Sequence, residues 1–294
     1  MNTHFRSYLF VPAASIKIMD KALNSEADSI IVDFEDAVAL AEKEASRERA
    51  KSHLLSRQNE KTVFIRINDI TTPFWKEDLE AAILAGVSGV IVPKAENAGN
   101  MQVICQTALY YLNKVNRTPD SFEVLALIET ARGVHFAYEI ASSHYLVKRL
   151  VFGSIDYSLD VNCELTPHGT ELLFARSQIV NASKAAGIDS PVDAVYPDFQ
   201  NEHGLKNEAE RAKSLGFTAK LAIHPKQIPI IHDTYTPTQQ EVESALEIVK
   251  AFEEAEQQNI ASISVGGKLV DYPVYKKAKA QLQFLNREGE QKVW

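Results

Sequence analysis

Cysteine is almost missing from this 294-residue chain: Cys105 and Cys163 are the only two, so neither a disulfide framework nor a cysteine-based zinc site is expected. The eight histidines show no HExxH or similar spacing, which argues against a histidine-held zinc centre. Neither GxGxxG nor GxxxxGK(S/T) occurs, against a Rossmann or P-loop nucleotide site. No apolar stretch approaches the ~20 residues of a membrane helix. The first twelve residues hold one arginine and only a short apolar run, a poor signal peptide. Positive charge is in deficit: 31 Lys+Arg stand against 39 Asp+Glu, a net charge of −8. That field repels nucleic acid and anionic lipid in general, while leaving room for a local basic pocket that holds a phosphate. What is present is ordinary for a folded protein, 45% apolar and 24% charged residues. The expectation is a soluble, cytoplasmic, globular protein.

Eight short β-rich runs recur along the chain. They are residues 7–13 (SYLFVPA), 28–35 (DSIIVDFE), 62–68 (TVFIRIN), 89–95 (GVIVPKA), 123–130 (EVLALIET), 149–156 (RLVFGSID), 191–197 (PVDAVYP) and 220–225 (KLAIHP). Most are near-continuous apolar stretches, the pattern of parallel strands covered on both faces. Helix-like segments lie between them, among them residues 37–55, 73–85 and 170–186, with Gly86 and Gly187 where C-caps are expected. Eight such alternations in about 230 residues favour a (β/α)8 TIM barrel over an open doubly wound sheet. The tail departs from this rhythm. Residues 238–258 read as a helix capped by Thr238, with a stripe of Val242, Ala245, Leu246, Val249 and Phe252. We therefore read residues 1–235 as the barrel and catalytic domain. Residues 236–294 read as a C-terminal helical extension or lid, packed on its own barrel or reaching a neighbouring subunit.

In a barrel, polar residues at the C-terminal ends of strands converge on one mouth, where active sites of this fold lie. Glu129 ends the fifth run and Asp156 the sixth. Adjacent strands are ~4.8 Å apart, so the two carboxylates can meet around one ion. Two carboxylates with open remaining positions suit Mg²⁺, which keeps waters for a substrate to displace. Helix capping, or pairing with Arg66 or Lys94, is the plainer alternative for each carboxylate alone. Arg66 ends an otherwise buried strand, and its planar fork matches a substrate carboxylate; an ion pair with Glu35 or Asp36 competes evenly with that role. Lys94 stands among too many carboxylates for a Schiff-base lysine. His224 reads as a structural residue, and Gly153 as a position of close approach beside the site.

At these residues the sequence resembles the citrate lyase β-subunit-like branch of the HpcH/HpaI aldolase family, related to malyl-CoA and citramalyl-CoA lyases. The resemblance runs from Arg6 to about Lys277. It is carried by RSYLFVPA (6–13), DFEDAV (33–38), FIRIN (64–68), VPKAE (92–96), LIETARGV (127–134), FGSIDYSLD (152–160), AIHPKQI (222–228) and GGKLVDYP (266–273). Their order and spacing together are specific. The resemblance implies a TIM barrel in a homotrimer or hexamer, with Glu129 and Asp156 as Mg²⁺ ligands and Arg66 gripping the substrate's carboxyl and carbonyl end. It implies that Asp36, with Glu35, orders metal-bound water and the arginine. Arg6 and Lys17 would face the CoA phosphates, and Lys94 would join the substrate-binding residues. Asp271 would be the catalytic acid/base, delivered across a subunit boundary.

The function implied is a Mg²⁺-dependent carbon–carbon lyase. It would cleave a 3-hydroxy-acyl-CoA thioester of the citramalyl-CoA or malyl-CoA type to acetyl-CoA and a 2-oxo acid, with reversible condensation. A citrate lyase β subunit acting on an acyl carrier in a multisubunit complex is the first alternative. The extension bearing Asp271 counts against it, on the expectation that complex-type subunits end sooner. Further alternatives are a non-catalytic ligand-binding barrel and non-thioester aldol cleavage.

Overall fold

The buried runs pair, in chain order, into one closed parallel sheet. In the computed structural model, which describes residues 5–57 and 61–291, the strands are β1 Ser7–Pro12, β2 Ser29–Asp33, β3 Thr62–Arg66, β4 Gly89–Val92, β5 Glu123–Ile128, β6 Val147–Phe152, β7 Val192–Asp193 and β8 Ala219–Ala222. Closure comes from β8 pairing with β1, Tyr8 opposite Leu221, and it rules out the open sheet. β2 (SIIVD) is buried along its whole length because alternate residues face the barrel interior and the helices outside. The interior is filled by Tyr8, Ile31, Phe64, Ile91, Leu125, Leu127, Val151, Val192, Ala219 and Leu221, so the barrel is a packed core and no pore.

Each strand is shorter in the structure than the run expected for it, the sixth and seventh among them. The sixth stops at Phe152. The next residues wind straight into helix Ser154–Asp160, so Asp156 lies in a first helical turn instead of at a strand end. The seventh keeps only two residues, and a single pair, Val151 opposite Val192, joins it to β6. The helices start where polar side chains take up free amides: Ser15 caps Ile16–Leu23, Asn97 caps Ala98–Lys114, and Thr130 caps Ala131–His135. Gly86 and Gly187 stand after their helices at φ 75° and 71°, as the sequence predicts.

The chain divides into two compact units, residues 1–235 and 236–294. In the second, Thr238 and Glu241 form a reciprocal capping box that starts helix Gln239–Glu256. Of the expected stripe, Ala245 and Phe252 are buried while Leu246 is 54% exposed. Gly266 and Gly267, at φ 57° and 75°, turn a hairpin between β9 Ile263–Val265 and β10 Lys268–Val270. Phe252 stacks on Tyr275 of helix Tyr272–Gln291, with ring centroids 4.8 Å apart. Among the described residues no helix is long and apolar enough to cross a membrane.

Candidate active site

Glu129 follows β5 directly and is 3% exposed. Two neighbours hold it there. The Lys94 amide donates to its Oε1 at 2.8 Å. Lys94 reaches that position with a left-handed backbone (φ 47°), a conformation costing a non-glycine residue about 1 kcal/mol, and so aims its N–H at the carboxylate. Gly153 leaves the remaining space: a Cβ there would stand 2.7 Å from Glu129 Oε2. Burial, the largest influence, raises the Glu129 pKa to about 8; the Lys94 amide opposes this, and the Glu35 and Asp156 charges add to it.

Arg66 closes β3 beside Asp33, the last residue of β2, with which it is in register. Its Nε and Nη2 donate to Asp33 Oδ1 and Oδ2 at 2.8 and 2.6 Å. Its Nη1 lies 3.0 Å from Glu35 Oε2 and 3.3 Å from Asp36 Oδ2. The guanidinium also lies 5.1 Å from the Phe10 ring centroid. Both expected roles of Arg66 are thus compatible, since the ion pairs with Glu35 and Asp36 exist while the arginine lines the cavity. Asp33 was missed from sequence; equal offsets from two adjacent strand ends were the signal. Burial pushes the Glu35 carboxyl up to about 6, against the pull of Arg66. Lys94 Nζ is 3.4 Å from Glu35 Oε1, and this neighbour raises its pKa despite burial, the reverse of what a Schiff-base lysine needs.

A cavity of about 230 Å³ brings Asp33, Arg66, Glu129 and Asp156 together under apolar walls that include Phe10, Leu127, Ile155, Val195 and Leu221. A second cavity of about 650 Å³, lined by Glu35, Asp36, Lys43, Asn68 and Lys94, adjoins this group of residues. Among the described residues no cluster of three His, Cys, Asp or Glu is arranged around a metal. The donor set still fits Mg²⁺: of the three carboxylates lining this cavity Asp33 is taken up by Arg66, which leaves Glu129 and Asp156, and Gly153 carries no Cβ to crowd Glu129 Oε2. Gly153→Ala is expected to weaken Mg²⁺ binding about 10- to 100-fold by displacing that carboxylate, as read by calorimetry.

Three other residues fall elsewhere. Arg6 precedes β1, at the end of the barrel away from the mouth, and the six-residue strand puts roughly 20 Å between them. Its Nε and Nη2 pair with Asp28 at 3.0 and 2.9 Å, so the guanidinium expected to face CoA phosphates is held by a carboxylate. Lys17 is exposed in the first turn of helix Ile16–Leu23, which leaves the C-terminal end of β1 and so starts on the mouth side. Asp271 belongs to the second unit, where its Oδ1 accepts from the Val274 amide at 3.3 Å and starts helix Tyr272–Gln291. His224 is structural, as expected: it caps a short turn and stacks on Phe199.

Comparison with known proteins identifies the family. The family model described as HpcH/HpaI aldolase/citrate lyase matches residues 6–225. The citrate lyase subunit beta of Escherichia coli (strain K12) is 38% identical over 97% of this chain and 94% of its own length. That coverage corrects the expectation that complex-type subunits end sooner, so the extension does not separate the two lyase readings. A (3S)-malyl-CoA thioesterase of Cereibacter sphaeroides is 31% identical over 91% of this chain and 90% of its own. The structure of CitE from Mycobacterium tuberculosis in complex with magnesium, acetoacetate and coenzyme A superposes with a TM-score of 0.78 at 28% identity. It covers 97% of this chain and 99% of that one. Barrel, motifs and relatives converge: the chain belongs to the HpcH/HpaI aldolase/citrate lyase family.

Proposed function

We propose that this chain is a Mg²⁺-dependent carbon–carbon lyase for a 3-hydroxy-acyl-CoA thioester of the citramalyl-CoA or malyl-CoA type. The products are acetyl-CoA and a 2-oxo acid, pyruvate or glyoxylate, and the condensation is the reverse reaction. The observation that carries this reading is the convergence of Glu129, Asp156 and Arg66 on one small cavity. Glu129 and Asp156 would hold the cation, which when bound would supply Lewis-acid stabilisation at the substrate's hydroxyl oxygen. Arg66 offers its remaining N–H directions to the carboxylate and developing carbonyl of the oxo acid, with Asp33 fixing the plane of its fork. Glu35 and Asp36 hold the free end of the same guanidinium. Phe10, Ile155 and Val195 exclude water around the breaking bond. The acetyl enolate needs a proton at carbon, and we assign its delivery to Asp271 of a neighbouring subunit in a homotrimer or hexamer. Lys17, at the mouth, is the basic residue for the CoA phosphates, and Lys94 a substrate contact beside Glu35.

A second reading has its own support: the 38% identity to a citrate lyase subunit beta favours citryl-acyl-carrier cleavage in a complex. One assay separates them. Purified protein with Mg²⁺ is given citramalyl-CoA, malyl-CoA, citryl-CoA and a citryl-loaded acyl carrier protein, and oxo-acid release is followed. Cleavage of citramalyl-CoA or malyl-CoA supports the first reading; turnover of the carrier substrate alone supports the second. A folded protein that cleaves none of the four ends both.

A further inference from the structure

Glu35 and Asp36 sit on the loop that leaves β2, and the structure grips this loop from both of its backbone polarities. Asp33 takes its amides: Oδ1 accepts from the Glu35 N–H at 2.9 Å and Oδ2 from the Ala37 N–H at 3.2 Å, the same oxygens that receive Arg66. Its carbonyls are taken by a lysine. Lys43, the first residue of helix Lys43–Ser56, turns its ammonium back under the loop and donates to Phe34 O at 2.8 Å and Glu35 O at 2.6 Å. Successive carbonyls of an extended chain point to opposite sides, so two that end on one nitrogen require the loop to curl around it. The residue is 8% exposed, and a buried ammonium that spends two bonds on carbonyls is costly unless the placement of that backbone matters.

The same helix holds the loop by a second route. Arg47 Nε donates to Asp78 Oδ1 at 2.7 Å, Asp78 Oδ2 accepts from Asn68 Nδ2 at 2.6 Å, and that amide group also donates to Phe34 O at 3.0 Å. Phe34 O is therefore shared by Lys43 and Asn68. We infer that Lys43 is a positioning residue of the lyase site: its ammonium sets the backbone of residues 34–36 so that Glu35 and Asp36 meet Arg66 Nη1. The inference rests on the lyase reading for its catalytic consequence and on the loop geometry alone for its structural part. Glu129 and Asp156 lie outside the loop, so Lys43 bears on metal binding less than on Glu35, Asp36 and Arg66.

The test compares the full chain with Lys43→Met. Expected are a kcat for thioester cleavage lowered about 10- to 100-fold, the cost of a misplaced catalytic group, and a KM changed less than about threefold. The Mg²⁺ dissociation constant stays within about twofold. Hydrogen exchange speeds up about tenfold or more at the Glu35 and Ala37 amides and stays unchanged in β5. Should Lys43→Met fail to fold, Lys43→Gln, which keeps an N–H donor on a shorter stem, carries the same readouts. Unchanged kcat, or faster exchange spread evenly over the barrel, overturns the assignment. If the parent protein cleaves no thioester, the lyase reading fails, and exchange confined to residues 34–37 still decides whether Lys43 sets this loop.

Discussion

Glu129→Gln is expected to lower thioester turnover by about 10³-fold or more, because a Lewis-acid cation supplies several kcal/mol and each 1.4 kcal/mol is a factor of ten. The substitution keeps the volume of the side chain and the hydrogen bond from Lys94, since the amide oxygen still accepts. It removes the charge that holds the metal. The pH dependence of the metal-free protein is an independent readout. The carboxyl has its pKa raised to about 8 from an unfolded value of 4.5. Between those values the unfolded chain has lost a proton that the folded state retains. Its contribution to stability is therefore fully present below about pH 4.5 and is lost as pH rises through 8. Glu35, raised to about 6, adds a slope of the same sign in the lower part of that window. Glu129→Gln should flatten the stability curve between pH 6 and 8, as measured by urea denaturation without metal. With Mg²⁺ the parent protein shows the converse: binding needs the ionised carboxylate, releases a proton and tightens as pH rises towards 8. A pH-independent Mg²⁺ affinity, or undiminished turnover in the variant, would show that Glu129 is no metal ligand.

Lys220→Met is expected to destabilise the barrel by about 3–5 kcal/mol, the range for breaking a buried ion pair. Lys220 and Asp193 are 0% exposed and Arg176 is 2% exposed, and they meet between the sheet and the helices outside it. Lys220 Nζ donates to Asp193 Oδ2 and Glu208 Oε1, both at 2.7 Å, while Arg176 Nε donates to Asp193 Oδ1 at 2.8 Å. Two cations balance two carboxylates, and removing one cation leaves a buried negative charge. Burial works against Asp193, yet Lys220 and Arg176 hold its pKa below the ordinary value. Its contribution is therefore present above the unfolded value and lost as pH falls through the folded one. The network ties β7, which has two residues and shares one pair with β6, to β8 and to the helices outside, so it supplies cohesion that the short ladder lacks. Thermal and urea unfolding of Lys220→Met, and of Lys220→Met with Glu208→Gln, check this. The double variant restores charge balance and should recover part of the loss. A single variant within about 0.5 kcal/mol of the parent would mean that the seam does not depend on these charges.

The sequence by itself determined which segments are buried strands, because a strand covered on both faces must be apolar throughout and few other structures tolerate that pattern. It also determined the rim position of Glu129, Arg66 and Glu35, since chain direction fixes which strand ends reach the mouth. The helix starts at Thr238 and the turns at Gly86 and Gly187 were legible for the same local reason: a free amide or a left-handed backbone demands a small set of residues. The tertiary structure decided what depends on distance between segments. Asp33 and Arg66 meet through strand register, Asp193 finds Lys220 on the neighbouring strand and Arg176 on a flanking helix, Glu208 joins the same two cations from another helix, and Lys43 reaches back beneath a loop eight residues earlier. None of these partners can be ranked from spacing, since a charged side chain has many opposite charges within reach until the backbone fixes one. Arg6 makes the same point in reverse. The family resemblance implied a phosphate partner, and standing before its strand and not after it put the guanidinium beside Asp28 at the far end of the barrel.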